Sequence, residues 1–335
     1  MPAHTTLVIT TISAPNTPLR EFAQSCKEAG WRFVVAGDAK TPAGFQLDGC
    51  RFLSLQDQLG SGFHLAGLGP TGHYSRKNIG YLAAIEEGAQ VIVESDDDNL
   101  PRPDFTAARA ARKTAPLISG AGWLNVYRYF SDRMIWPRGL SLDAVQGSVP
   151  DAGPEKDFFA PIQQGLVDDN PDVDAVYRLL FPLPFQFEKP RGRVALGRGS
   201  WCPFNSQNTT WFHEAFPLLY LPSHCSFRMT DIWRSLVAQR IAWEYGWSIL
   251  FHGPTVRQER NEHDLLADFA EEVPGYVNNR AIAAALESVE CSGSVQEIGE
   301  NLKRCYAALA AGKWLPEAEL ILLNSWLADL ERTTR

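Results

Sequence analysis

Two short apolar runs near the start, Thr6-Leu-Val-Ile-Thr-Thr-Ile12 and Trp31-Arg-Phe-Val-Val-Ala36, constrain the fold more than any other feature. Both are rich in the β-branched and aromatic residues that favour strands. Between them Leu19, Phe22, Ala23 and Cys26 recur at helical spacing, and Gly30 supplies a stop. Strand, helix and strand in this order make a βαβ unit, and such units build a parallel sheet covered by helices.

A second stretch, Val91-Ile-Val-Glu-Ser-Asp-Asp-Asp-Asn-Leu-Pro101, sets three adjacent carboxylates directly after an apolar strand. Pro101 rules out an ordinary helical continuation. In open α/β sheets ligands bind at the carboxyl edge of the strands. Side chains alternate along an extended segment, so Asp96 and Asp98 face one way and can share a cation while Asp97 faces elsewhere. Hard oxygen ligands suit Mg²⁺ or Mn²⁺, which keep open positions for phosphate oxygens. The competing reading is an acidic turn that only caps the next segment. Upstream, Tyr74 to Gly88 has the pattern of a helix, with Arg76, Lys77 and Asn78 in its first turn. A helix dipole disfavours cations there unless an anion sits opposite. These residues therefore point to a phosphate or carboxylate, or else to a solvated helix start.

Composition narrows the function classes. A net charge of −8 excludes a general electrostatic grip on nucleic acid, and 45% hydrophobic residues suffice for a sizeable core. No window approaches the roughly 20 apolar residues of a membrane span. The start of the chain has neither the basic nor the apolar part of a signal peptide. The cysteines (26, 50, 202, 225, 291 and 305) include no C-x-x-C pair and read as reduced thiols. A soluble cytoplasmic protein is expected.

Further along, Cys50 to Leu55 reads as a strand, Asp104 to Lys113 as a helix, and Pro116 to Gly122 as a strand. Residues 123–198 are rich in aromatics, Pro and Gly and read as an insertion or acceptor-side flap, with Val173 to Leu180 helical. Gly199 to Thr210 is a polar loop whose amides either bind sugar hydroxyls or stabilise turns. Phe227 to Arg240 begins a helix, with Asp231 near its start as either a cap or a catalytic carboxylate. Ser248 to Phe251 is a strand. From Leu265 the chain is helical, with breaks at Pro274–Gly275, Ser292–Gly293 and Gly312–Pro316. The expected organisation is a domain over 1–264 followed by a helical subdomain over 265–335.

Several of these segments together resemble one family. They are Tyr74-Ser-Arg-Lys-Asn-Ile-Gly-Tyr-Leu-Ala-Ala-Ile, Asp96-Asp-Asp-Asn, Pro203-Phe-Asn-Ser-Gln-Asn-Thr, Phe227-Arg-Met-Thr-Asp-Ile-Trp-Arg and Pro254-Thr-Val-Arg-Gln-Glu-Arg-Asn-Glu-His. In this order they resemble the STELLO family of glycosyltransferases, and the likeness runs from about residue 6 to about 269. A more distant similarity, to reversibly glycosylated polypeptides (UDP-arabinopyranose mutases), rests on the Asp triplet, the Asn208 region and the Thr230-Asp-Ile-Trp segment. The resemblance implies an α/β, GT-A-like Rossmann-type nucleotide-sugar-binding fold with a mainly parallel sheet. It implies transfer of a sugar from a nucleotide-diphosphate sugar, a UDP-sugar above all, to a hydroxyl of a glycan or polysaccharide, with Mn²⁺ or Mg²⁺ as cofactor. By position, Thr10, Thr11 and Asp38 would line the base and ribose pocket, and Arg76, Lys77, Asn78, Asp97 and Asn208 would face the donor. Asp96 and Asp98 would hold the cation, joined by a late histidine, His252 or His263. Asp231 would be the general base, a role that goes with inversion at the anomeric carbon. A nucleotide-sugar mutase and a non-catalytic scaffold are the alternative readings. In departure from plant members of that family, a chain without their membrane anchor is expected.

Overall fold

A computed structural model describes residues 4–189, 192–259 and 264–333. The βαβ start is present as β1 (Thr5–Thr11), α1 (Thr17–Ala29) and β2 (Arg32–Gly37). Asn16 caps α1 by accepting the Leu19 N–H, and Gly30 ends it at a φ of 68°. Then come β3 (Arg51–Leu53), two short helices α2 (Leu55–Gly60) and α3 (His64–Leu68), α4 (Lys77–Glu86) and β4 (Val91–Ser95). Gly80 faces β1, where an added Cβ would lie 2.7 Å from Val8 Cγ1, so α4 packs directly on the sheet.

After β4 follow β5 (Asn99–Pro101), β6 (Arg112–Ile118), β7 (Gly122–Trp123), β8 (Glu155–Phe159), β9 (Ile162–Asp168), α5 (Ala175–Leu180) and β10 (Arg193–Leu196). The remainder is β11 (Ser200–Trp201), β12 (Asn208–Phe212), α6 (Thr230–Glu244), β13 (Ile249–Gln258), α7 (Leu265–Glu287), α8 (Ile298–Ala311) and α9 (Ala318–Thr333).

The large sheet runs β3-β2-β1-β4-β12-β9-β13-β10-β6-β8, with β5 added to β13. Its first four strands are parallel, as the βαβ reading requires. Beyond β4 the pairing is mixed: β12 is antiparallel to both neighbours, β13 is parallel to β9, and β10 runs antiparallel to β13.

Four local expectations are corrected. Asp104 to Lys113 is a turn that enters β6, because Arg109 ties back to the Phe105 and Ala107 carbonyls and Arg112 onward pairs with β8. The polar loop after Gly199 contains a fully buried central strand, β12, whose Thr, Trp and Phe suit a sheet despite its polar start. The 123–198 stretch is not peripheral throughout, since β9 lies at the sheet's centre. Finally, α7 runs unbroken through Pro274–Gly275, where Gly275 sits against Met229 with no room for a side chain.

One hydrophobic cluster joins sheet residues such as Val8 and Ile92 to Leu302 and Trp326 of the C-terminal helices. Two buried carboxylates reinforce that seam. Asp329 of α9 accepts the N–H groups of His64 (2.9 Å) and Leu65 (2.8 Å) at the start of α3. Glu319 accepts the Tyr220 hydroxyl and the N–H groups of Ser223 and His224. All six cysteines are free, and no helix among the described residues is long and apolar enough to cross a membrane.

At the centre lies a buried ion pair, Glu94 of β4 with Arg234 of α6, joined by contacts of 2.8 and 3.0 Å. Trp211 Nε1 (2.7 Å) and the Tyr81 hydroxyl also donate to Glu94. Arg234→Ala would strand a buried, unpaired carboxylate. The expected loss is about 3–5 kcal/mol of stability, measured as a shift of the urea midpoint at unchanged slope.

Candidate active site

The carboxyl ends of β1, β2 and β4 open onto a cleft of about 410 Å³. Strand polarity brings Thr10 and Thr11 there from β1, Asp38 from the end of β2, and Asp96, Asp97 and Asp98 from the turn after β4. The opposite wall carries Arg138, Asp172, Phe227, Arg228 and Asp231.

Each member of the Asp triplet has a different partner, because successive side chains diverge. Asp96 accepts the Tyr74 hydroxyl (2.6 Å) and the Lys77 ammonium (3.2 Å). Asp97 accepts the Thr11 hydroxyl, and its carbonyl receives the Asn16 amide at 2.7 Å, which ties the turn to the start of α1. Asp98 is held by Gln258 Nε2, 3.0 Å from both carboxylate oxygens. Burial raises all three pKa values; in Asp98, burial followed by the charge of Asp96 pushes the carboxyl up to about 7. Among the described residues Lys77 is the one cation bonded to this half-buried trio.

Lys77 is fully buried, and its Nζ donates to Tyr74 Oη (2.6 Å), the Ser95 carbonyl (2.7 Å) and the Ser206 carbonyl (3.2 Å) as well as to Asp96. It thus pins the strand end, the helix start and the 203–209 segment to one point. From Tyr74 the network continues to Ser206 Oγ at 2.7 Å and on to Asp231 at 3.2 Å. Asp231 and Asp172 then grip the Arg138 guanidinium from two sides, at 2.8 to 3.0 Å.

This pairing revises the expectation for Asp231. It lies in the first turn of α6 and makes no cap bond; its oxygens serve Arg138 and Ser206. Burial alone would raise its pKa, but Arg138 overrides that and holds the carboxyl at about 2. A general base works best with a pKa near the working pH, and the Arg138 contact keeps Asp231 ionised while occupying its oxygens.

Other expected site residues are partly redistributed. Thr10 and Thr11 line the cleft as anticipated. Asp38 also lines it, but its oxygens accept the N–H groups of Ala39, Gly72 and His73 and so shape the loop before α4. Arg76 turns inward and is spent on Gln58 and the Ala66 carbonyl, so it faces no ligand. Asn78 is likewise used up, bonding both backbone groups of Leu221. Asn208 points across the sheet to Thr255 and the Leu166 carbonyl. His252 lines a different cavity and hydrogen-bonds the Gly253 carbonyl, and His263 lies outside the described residues. The side-chain alternation of β12 and β13 sends Asn208 and His252 away from the triplet, a fact no motif spelling reveals.

Five participants escaped the sequence reading: Tyr74, Ser206, Arg138, Asp172 and Gln258. Arg138 and Asp172 sit in the turn-rich stretch, where no periodicity signals a role. Tyr74, Ser206 and Gln258 lie inside or beside the quoted motifs and were the discoverable ones. For a divalent cation the donors fit in part. Asp96 and Asp98 offer hard oxygens, yet no group of three or more His, Cys, Asp or Glu side chains among the described residues could hold a metal ion alone. Phosphate oxygens and water would fill the other positions, as Mg²⁺-type sites allow.

The raised Asp98 pKa has a stability consequence in chelator. The folded state holds this proton more tightly than the unfolded chain, so the residue's contribution declines as pH rises from about 4 to about 7. Asp98→Asn is expected to melt higher than the parent above pH 7, with the gap closing towards pH 4 in thermal scans.

With that geometry in place, comparison with known proteins is informative. Residues 228–334 match the family profile of STELLO glycosyltransferases. The chain is 31% identical over 341 residues to the probable glycosyltransferases STELLO1 and STELLO2 of Arabidopsis thaliana, covering 95% of this chain and 44% of each relative. It therefore spans under half the length of the curated relatives it matches. Among solved structures it is similar to glucosyl-3-phosphoglycerate synthase from Mycobacterium tuberculosis, at 10% identity and a TM-score of 0.41, covering 83% of this chain and 80% of that one. No residue role rests on so loose a likeness.

Proposed function

We propose that the chain is a glycosyltransferase of the STELLO kind, as its match to that profile and its 31% identity to two STELLO proteins support, and that the carboxylate cleft transfers a sugar from a nucleoside-diphosphate sugar to an acceptor hydroxyl. The observation that supports this most is the Asp96–Asp98 turn, where three half-buried carboxylates at the carboxyl edge of a parallel sheet meet one buried ammonium.

In this reading Thr10, Thr11 and the backbone around Asp38 receive the nucleoside, at the usual ligand edge of a doubly wound sheet. Asp98, with Asp96 beside it, would hold Mn²⁺ or Mg²⁺. Such an ion, when bound, neutralises charge on the leaving diphosphate. Lys40, exposed at the cleft's rim, is placed to meet a phosphate oxygen. Gln258 and Lys77 keep the two carboxylates oriented, so little reorganisation is needed as charge develops.

Asp231 acts through Arg138 and Ser206 as a positioning group. Support for inversion at the anomeric carbon came from Asp231 as base, and that support lapses with its low pKa. Phe227, half exposed and edge-on to His73 and Tyr74, gives the opposite wall an aromatic face suited to a sugar ring. The acceptor side of the cleft is therefore assigned to the 227–231 segment.

Titration calorimetry with UDP, GDP and CDP, each with and without Mn²⁺, tests the donor reading. One diphosphate should bind tightly only with Mn²⁺, and Asp98→Ala should weaken it at least tenfold with a melting temperature no lower than the parent's. Equal affinity in that variant, or equal affinity without metal, would remove the cation from the proposal. For Asp231→Asn the expected result is retained donor binding and lost turnover, while the parent's rate stays flat in the acid limb where a base of ordinary pKa would titrate.

A further inference from the structure

A second cavity, of about 760 Å³, shares no lining residue with the carboxylate cleft. It opens between the 102–109 turn, β6 and the β10–β13 pair. Arg109, Lys113 and Arg193 all line it, together with His252, Gln163 and Thr255. In a chain of net charge −8 such a gathering of cations needs a reason.

Among the described residues no carboxylate is hydrogen-bonded to any of the three, although the charge of Asp104 acts on Arg109. Arg109 is fixed by neutral acceptors only: Thr210 Oγ1 at 2.9 Å and the carbonyls of Phe105 (2.7 Å) and Ala107 (3.1 Å). It also stacks over the Trp31 ring at 4.6 Å. Among the described residues Lys113 and Arg193 make no ion pair. The lining does include acids, but Asp168 is taken by Arg102, and Asp104 and Glu155 are exposed at the rim. Inside, the field is positive. Burial and then the Gly253 bond act on His252, followed by Arg109, Arg193 and Lys113, leaving its pKa near 4; Lys113 is lowered by burial and by the same two arginines.

The fixed parts are built for close approach. Gly165 has no space for a Cβ, which would lie 2.3 Å from Asn208 Nδ2 and 2.7 Å from His252 Cε1. Asn208 in turn holds Thr255 at 3.0 Å, so its amide organises the wall of this cavity. With Nδ1 donating to the Gly253 carbonyl at 2.8 Å, the neutral imidazole keeps Nε2 as a bare acceptor, ready to take up a proton when an anion arrives.

We propose that this cavity binds the phosphate group of a small organic phosphate, with Arg109 as the fixed cation and Lys113 and Arg193 closing on the anion. A dianion matches three cations lining one cavity better than a single carboxylate does. The volume leaves room for a sugar-sized body behind the phosphate. This assignment stands apart from the donor reading, since it uses none of the same residues.

The test is calorimetry at low ionic strength with glucose 1-phosphate, inorganic phosphate and glucose as probes, alongside imidazole NMR of His252. Expected are binding of the two phosphates but not of glucose, and an upward shift of the His252 pKa from about 4. The double variant Lys113→Ala/Arg193→Ala should lose roughly tenfold or more in affinity, with its melting temperature unchanged. Asp98→Ala should bind both phosphates like the parent. Absence of phosphate binding at millimolar concentration, full affinity in the double variant, or binding that leaves His252 unmoved would each overturn the assignment. Loss in Asp98→Ala instead would place the phosphate in the other cleft and overturn it equally.

Discussion

Everything in the carboxylate cleft depends on one buried carboxylate, Glu94. Four elements meet on it: β4 supplies it, α4 sends Tyr81, β12 sends Trp211, and α6 sends Arg234. An ion pair with both partners almost fully excluded from water is favourable only when hydrogen bonds fill the remaining sites, and here Glu94 is fully served. The geometric result matters more than the energy. Glu94 stands two residues before the Asp triplet, and Arg234 stands one helical turn after Asp231. Locking one to the other fixes the distance between the two walls of the cleft.

Within that frame the cleft divides its charges between two duties. Asp172 and Asp231 are spent on Arg138, and Asp38 on backbone N–H groups, so these carboxylates are structural anions. The triplet is different. Lys77 offsets part of the charge of Asp96, and Asp98 has only a neutral amide. Asp97 likewise has a neutral partner, the Thr11 hydroxyl, so two of the three triplet carboxylates carry charge with no bonded cation among the described residues. This distinction separates Asp98 from Asp231, two aspartates that look alike as motif letters.

Much of this was legible in the sequence. The Thr5–Gly37 unit, the helix before β4 and the strand leading into Asp96 follow from local periodicity and caps, and they place the triplet at the sheet's ligand edge. What was not legible depended on side-chain direction within strands and on long-range pairing. Asn208 and His252 belong to recognisable segments, yet β12 and β13 aim them at the opposite face. Arg76 and Lys77 are adjacent and equally basic; the helical rotation between them sends one to Gln58 and the other to Asp96. Arg138 lies in a stretch with no period, and only the tertiary fold brings it to Asp231.

The seam between α9 and α3 has a consequence for how the chain comes to be folded. His64 and Asp329 are 265 positions apart, and Glu319 reaches back 95 positions to His224. On the ribosome, α3 emerges long before the residue that caps it, and the 220–224 turn must wait for its carboxylate. The early β1–β4 layer can assemble from local units, but the layer over it closes only when the last helices are free. Completion of this fold is therefore a late, cooperative event of high contact order, and a nascent chain held short of α9 exposes the apolar face that Leu323, Trp326 and Leu330 otherwise cover.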